Sequence, residues 1–148
     1  MSNPDRIGFR RSDPSPLVRA LDQLLRRGSG WLNVQADPEE VDPRAQLKPS
    51  LFSGRGRAVP LSTFVPSGSG EHQIGVEHGA GRHAARQLRD AGVVFPDGAR
   101  LVQDHSRRGL VIAVPNGTDA AAIAELLLQA ASQLTMVPLG DRWMLELY

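Results

Sequence analysis

The sequence has 148 residues, a formal net charge of +1 and no cysteine, and its length fits one domain with a substantial hydrophobic core. Its 41% hydrophobic and 22% charged residues are typical of a globular domain. The lack of cysteine excludes disulfides and thiolate chemistry. No apolar run approaches the ~20 residues of a membrane helix, and the start has no signal-peptide core, so we expect a cytoplasmic protein.

The positive charges are almost all arginine, since Lys48 is the only lysine among 17 Lys and Arg residues. Guanidinium groups suit carboxylates and phosphates. The same usage, with plentiful Ala, Gly and Pro, is also typical of GC-rich genomes, and we therefore expect a bacterial source. The near-zero net charge argues against a dominant nucleic-acid partner, because such binding needs many uncompensated cations.

The first part of the chain predicts a leader, a helix and a strand. Residues 1–14 are polar and rich in proline, and we expect a flexible leader. Ser15-Pro16 is typical of a helix start, and Gly28 is typical of a helix end. Between them, apolar residues recur at helical spacing. Residues 30–36 then alternate between apolar and polar, with Trp31 on the polar side, as in a strand with one buried face.

The segment 44–70 is rich in Gly and Pro, and its structure is hard to predict. The best strand candidate is 58–65, which Pro60 would confine to a sheet edge. Within 53–57, glycines alternate with Arg55 and Arg57. Such a loop can point backbone N–H groups at an anion while the arginines supply charge, although a mobile hairpin tip is the simpler interpretation.

From residue 72 onward the predicted order is β-α-β-β-α-β. Strands are predicted at 72–78, 99–105, 110–114 and 142–148, and helices at 79–91 and 120–134. This is the element order of a ferredoxin-like sandwich, in which two helices cover one face of an antiparallel sheet. We therefore predict a single α+β domain over 15–148, with the first helix and strand extending or capping that sheet.

The longest apolar stretch is 110–134, a strand, a Pro-Asn-Gly turn and an Ala/Leu-rich helix. Its only polar stripe is narrow, so the helix is predicted to be mostly buried. Apolar surface in excess of one core usually finds a partner. The stretch therefore predicts the core of the fold and, as an alternative, a dimer interface.

The most specific local pattern is Gly79-x-Gly81-x-x-Ala84, which follows a predicted strand and opens a predicted helix. In dinucleotide-binding units this pattern lets a pyrophosphate approach the helix start, and Asp104 lies where a ribose-binding acid belongs. The preceding Glu77, the predicted hairpin and the short chain argue against that function. A milder hypothesis is an anion site formed by Gly79, Gly81, Arg82 and His83.

Other catalytic or metal-binding patterns are weak. His78 and His83 beside Glu77 could supply metal ligands, but no paired-histidine motif exists and we predict no metal. No G-x-S-x-G nucleophile motif is present. The predicted central strands also lack the aromatics that stack RNA bases. The sequence therefore leans away from an enzyme and predicts no cofactor.

The leading hypothesis is a small non-catalytic binding module, of adaptor, regulatory or chaperone type, whose partner is another protein or its own copy. The first alternative is a domain, either a binding protein or an enzyme, that binds a small anion such as a nucleotide or phosphate. It would use Gly79–His83 with Arg55 or Arg57. The second alternative is weak nucleic-acid binding through arginine loops, which include Arg107 and Arg108.

Overall fold

A computed structural model describes residues 3–40 and 57–148 of the protein. These residues form three α-helices and one seven-stranded sheet in which every neighbouring pair of strands is antiparallel. The fold is therefore α+β, as the sequence predicts. The elements are β1 Asp5–Arg10, α1 Ser15–Arg27, β2 Leu32–Ala36, β3 Leu61–Val65, β4 His72–Glu77, α2 Ala84–Asp90, β5 Arg100–His105, β6 Gly109–Val114, α3 Ala120–Gln133 and β7 Arg142–Leu147, with a 3₁₀ turn at Pro38–Glu40.

The spatial order of the strands is β1-β7-β2-β3-β4-β6-β5, and it differs from the ferredoxin-like arrangement. The predicted chain order from β4 to β7 is present, but β7 does not lie beside β4. The antiparallel strands β2 and β3 lie between them, because β7 pairs with β2 in a register that sets Leu145 opposite Val34. The N-terminal strands therefore lie within the sheet and at the edge next to β7, instead of capping a four-stranded core.

One face of the sheet is covered by the helices. Helix α3 packs against β2, β3 and β4, α1 packs against α3, and α2 packs against β5 and α3. The buried Ser62 hydroxyl of β3 donates to the Leu127 carbonyl of α3 at 3.0 Å, which satisfies a polar group inside the core. The largest fully buried side chains include Leu17, Leu21, Leu24, Leu32, Phe64, Ile74, Leu88, Leu110, Ile112, Ile123, Leu126 and Leu127.

Helix α1 follows its sequence signals closely. It begins at Ser15 and ends at Arg27, and Gly28 adopts the left-handed conformation with φ 69°. The Gly28 amide donates to the Leu24 carbonyl at 2.8 Å, a bond that ends many helices. The prediction for this helix is confirmed.

Two strand predictions need correction. Residues 5–10, predicted as part of a flexible leader, form β1 at one edge of the sheet, where Phe9 is the only buried residue of the strand. The strand β3 is internal, between β2 and β4, and not at an edge. It begins at Leu61, so Pro60 lies just outside the ladder and its missing N–H costs no strand pairing.

The second helix is shorter than the sequence predicts. It begins at Ala84 and not at Gly79, because Gly81 has φ 83° and His83 has φ 62°. Residues with positive φ cannot continue a right-handed helix. The segment 79–83 is consequently an irregular turn between β4 and α2.

Helix α3 lies where it was predicted, and it is buried within one chain. Helix α3 packs against α1, α2 and the sheet, and its leucines and isoleucine are buried there. These apolar side chains therefore contribute to the core of the monomer. In the described residues, no helix is both long and apolar enough to cross a membrane.

Candidate functional site

The turn between β4 and α2 brings together four of the predicted site residues, Gly79, Gly81, Arg82 and His83. Arg57 lies elsewhere, and Arg55 is outside the described residues. The first helical amides after the turn are already bonded within the chain. The Ala84 and Ala85 N–H groups donate to the two carboxylate oxygens of Asp104, each at 3.1 Å.

The Asp104 carboxylate therefore takes the position that an external anion would need. Its negative charge at the start of α2 also complements the partial positive charge of the exposed amides. Asp104, whose spacing in the sequence suggested a ribose-binding acid, thus caps the start of helix α2 from strand β5. An incoming phosphate would have to displace Asp104 or bind through the side chains of Arg82 and His83 alone.

The Arg57 side chain lies on the face of the sheet that is opposite the helices. Its guanidinium donates to the Gln35 side chain at 3.2 Å and lies 3.8 Å from the Glu77 carboxylate. Gln35 and Glu77 both point away from the helices, because their neighbours Val34 and Val76 are buried under them. Arg57 therefore compensates Glu77 and does not join the amides at the start of α2.

Three of the four histidines hold turns through the same ring atom. The Nδ1 atom of His72 accepts the Ser67 N–H, and that of His78 accepts the Ala80 N–H. The Nδ1 atom of His105 accepts the N–H groups of Arg107 and Arg108. Each of these bonds needs an unprotonated Nδ1. The three rings therefore act as structural acceptors. Within residues 3–40 and 57–148, no group of three His, Cys, Asp or Glu side chains is placed to hold a metal ion.

His78 differs from His72 at the second ring nitrogen. The Nε2 of His72 lies 3.1 Å from the Asn116 carbonyl, whereas the buried Nε2 of His78 has no partner among the described residues. Burial lowers the pKa of His78 below its ordinary value, and the nearby Asp104 carboxylate opposes that shift in part. Burial of the ring therefore disfavours the protonated form of His78 relative to an exposed histidine.

The face of the sheet opposite the helices carries a different kind of surface. Its side chains alternate with the buried ones and include uncharged polar residues, such as Asn33 and Thr63, and charged residues, such as Glu77 and Glu146. None of the described helices packs over it. We call this side the open face.

An aromatic pair lies at one end of the open face. The rings of Trp31 and Tyr148 stack with centroids 4.7 Å apart and an angle of 13° between their planes, and the Tyr148 amide donates to the Trp31 carbonyl at 2.9 Å. Val65 lies on the adjacent strand, one residue beyond the Leu32–Phe64 pair. Trp31, Val65 and Tyr148 are 45%, 44% and 37% exposed, and together they form what we call the open-face patch.

The charges next to the patch are compensated. Arg6 Nε lies 3.3 Å from the Glu146 carboxylate, which also accepts the Tyr148 hydroxyl at 3.4 Å. The Arg27 guanidinium donates to the Tyr148 carbonyl at 2.9 Å. The patch can therefore be covered without burying an unpaired charge, which would be costly.

No family model matches the chain, and no curated protein and no solved structure is significantly similar to it.

The sequence indicated only part of this surface. The alternation of apolar and polar residues in 30–36 predicts Trp31 on the polar side of the strand. The partnership between Trp31 and Tyr148 was missed, because it depends on the pairing of β2 with β7 over a separation of more than a hundred residues. Chemically, the surface offers apolar and aromatic contact area, which is suited to binding.

Proposed function

We propose that the protein is a non-catalytic, cytoplasmic binding module that self-associates through the open-face patch. The observation that carries this proposal is the exposure of a stacked Trp–Tyr pair beside an exposed valine on a sheet face with no described helix over it. Trp and Tyr are enriched among the residues that dominate binding energy at protein interfaces.

A second copy of the chain is the partner that this surface fits best. A twofold interface brings the same patch of each copy together, and uncompensated charge at such a patch would repel its own image. Here Arg6 is paired with Glu146, and Arg27 is bonded to the Tyr148 carbonyl. Two patches can therefore meet without like-charge repulsion.

Substitution of Trp31 tests the proposal. Truncating a central aromatic at an interface costs about 2 kcal/mol or more, which corresponds to a weakening of roughly 30-fold. We expect light scattering to show a concentration-dependent dimer for the wild type and a monomer for Trp31→Ala over the same range. The matched control is Met136→Gln, which alters another apolar side chain of similar exposure and should leave the dimer intact.

Anion binding at Gly79–His83 is the alternative, and it has less support because Asp104 bonds the first amides of α2. A thermal-shift titration with phosphate and nucleotides separates it from the first proposal, since a ligand that binds the native state raises its stability. Weak nucleic-acid binding through Arg107 and Arg108 predicts salt-dependent retention on heparin.

A further inference from the structure

The two edges of the sheet are protected to different degrees. The edge strand β1 carries arginines in ion pairs with its surroundings, Arg6 with Glu146 and Arg10 with Asp141. Charged side chains of this kind discourage the addition of a further strand. The opposite edge strand, β5, pairs only with β6 among the described residues. Its middle positions are apolar instead of charged, since Leu101 is 44% exposed and Val102 is 47% exposed.

The register of β5 contains an irregularity at Val102. Leu101 pairs with Ile112 and Gln103 pairs with Val111, so Val102 has no partner on β6. A bulge of this kind bends the strand and limits how long a flat strand could pair with its outer side. The edge is therefore suited to a short extended segment, and Val102 is available for contact with it.

The surroundings of β5 are strongly basic. Residues 82–108 contain six arginines and three aspartates, so the formal net charge of this segment exceeds the +1 of the whole chain. Arg100 pairs with Glu71 at 2.8 Å. The other five arginines are exposed and form no ion pair with a carboxylate in the part of the chain that the structure describes: Arg82, Arg86, Arg89, Arg107 and Arg108.

These arginines border the free edge on two sides. Helix α2, which carries Arg82, Arg86 and Arg89, packs against β5. Arg107 and Arg108 lie in the turn directly after β5. Of the three aspartates in the segment, Asp104 is bonded to the start of α2, and none of the three forms an ion pair among the described residues.

We propose that β5 binds an extended acidic segment of another protein, which adds to the sheet as a short edge strand. Main-chain hydrogen bonds to the outer side of β5 would supply affinity, as in other cases of strand addition. Apolar side chains of the segment would contact Leu101 and Val102. Its carboxylates would pair with the flanking arginines, whose forks suit that geometry.

An acidic protein segment fits this edge better than nucleic acid does. The aromatic residue of this region, Phe95, is already covered by the Arg89 guanidinium, 5.2 Å from the ring centroid. It is therefore poorly placed for the base stacking that single-stranded nucleic acid requires. Nucleic acid also cannot use the free main-chain groups of a strand edge as a second strand.

The direct test is fluorescence anisotropy of the full chain with a labelled peptide of alternating Glu and Val. We expect saturable binding that Arg107→Glu/Arg108→Glu weakens by about tenfold or more, because two favourable charge pairs become repulsive. Val102→Pro removes an N–H at the unpaired position and should weaken binding too. Hydrogen exchange should show that the β5 amides become protected when the peptide is added.

Three controls make the test decisive. A peptide of alternating Glu and Pro keeps the charge but cannot pair as a strand, so equal binding would overturn the proposal. Absence of saturable binding of the Glu-Val peptide at millimolar concentration would overturn it, and so would stronger binding of single-stranded DNA. Because Trp31→Ala alters a different surface, it should leave peptide binding unchanged, and self-association can therefore fail without the β5 proposal failing.

Discussion

The two faces of the sheet share the same strands, yet they have different surroundings. On the helix side, Val34, Phe64 and Ile74 are fully buried on strands that pack against α3. On the open face, the residues between them are polar, apart from the aromatic pair Trp31–Tyr148 and a few aliphatic side chains. We therefore expect stability to depend mainly on the helix side, and the proposed self-association to depend on the open face. Substitutions on the two faces should accordingly change different properties of the protein.

The largest expected effect is a loss of stability from the helix side. Leu127 of α3 is fully buried, and Leu127→Ala should lower the free energy of unfolding by about 2–5 kcal/mol, because it removes buried methyl groups and leaves a cavity. The matched change on the open face, Val65→Ala, should cost less than about 1 kcal/mol. Urea unfolding of both variants measures the difference, and equal losses would contradict the division between the faces.

A smaller effect is expected where α2 is tied to β5. Asp104→Ala deletes the acceptor for the Ala84 and Ala85 amides and should cost roughly 1–3 kcal/mol. Asp104→Asn keeps one of the two acceptor oxygens and loses the charge and the second acceptor, so it should cost less than Asp104→Ala. Denaturant unfolding should rank the variants in that order. The exposed control Asp97→Asn should match the wild type; a loss of stability like that of Asp104→Ala would refute the assigned role.

The pH dependence of stability should reveal the buried histidine. Burial holds the pKa of His78 below its ordinary value of 6.5, so the unfolded state binds a proton more readily than the native state. The free energy of unfolding contributed by His78 should be complete above about pH 6.5 and should fall as the pH drops toward the lower native pKa. His78→Asn keeps an acceptor for the Ala80 amide and should remove this slope.

His83→Asn is the matched control for that experiment. It alters an exposed histidine at a left-handed position that asparagine tolerates. The slope between neutral and acidic pH should remain. If His83→Asn removes it and His78→Asn does not, the assignment to His78 is wrong.

The smallest expected effect is on the open face, at the exposed pair of Arg6 and Glu146. Exposed ion pairs contribute about 0–1 kcal/mol, so Arg6→Gln should leave the melting temperature nearly unchanged. It should nevertheless weaken self-association, because Glu146 beside the aromatic pair would then be uncompensated in both copies. Sedimentation of this variant, with Arg10→Gln as the control, tests that prediction.

Local signals in the sequence predicted much of the fold. The helices α1 and α3 carry long periodic patterns, and β7 alternates clearly through Trp143, Leu145 and Leu147. The edge strand β1 has only Ile7 and Phe9 as apolar residues, too few to distinguish it from a leader. The turn at Gly79–His83 was predicted as helix, since nothing in the composition reveals the positive φ of His83.

The contact of Asp104 with α2 and the stacking of Trp31 on Tyr148 both depend on packing between distant parts of the chain. The spacing of Asp104 from Ala84 was visible in the sequence, but only the packing of α2 on β5 shows that the carboxylate bonds the helix start. The position of strands β2 and β3 beside β7 likewise depends on long-range strand pairing. It creates the stacked pair of Trp31 and Tyr148, which neither residue predicts alone.

A distance measured between two copies of the chain shows whether they meet at the open face. The chain has no cysteine, so a spin label can be attached to a single introduced one. Gln73→Cys places the label on the open face beside Val65, and Asp90→Cys places it on the exposed side of α2. Double electron–electron resonance should give a short, well-defined distance between copies for Gln73→Cys and a longer one for Asp90→Cys. A featureless decay at both sites, or the shorter distance at Asp90→Cys, would contradict the account.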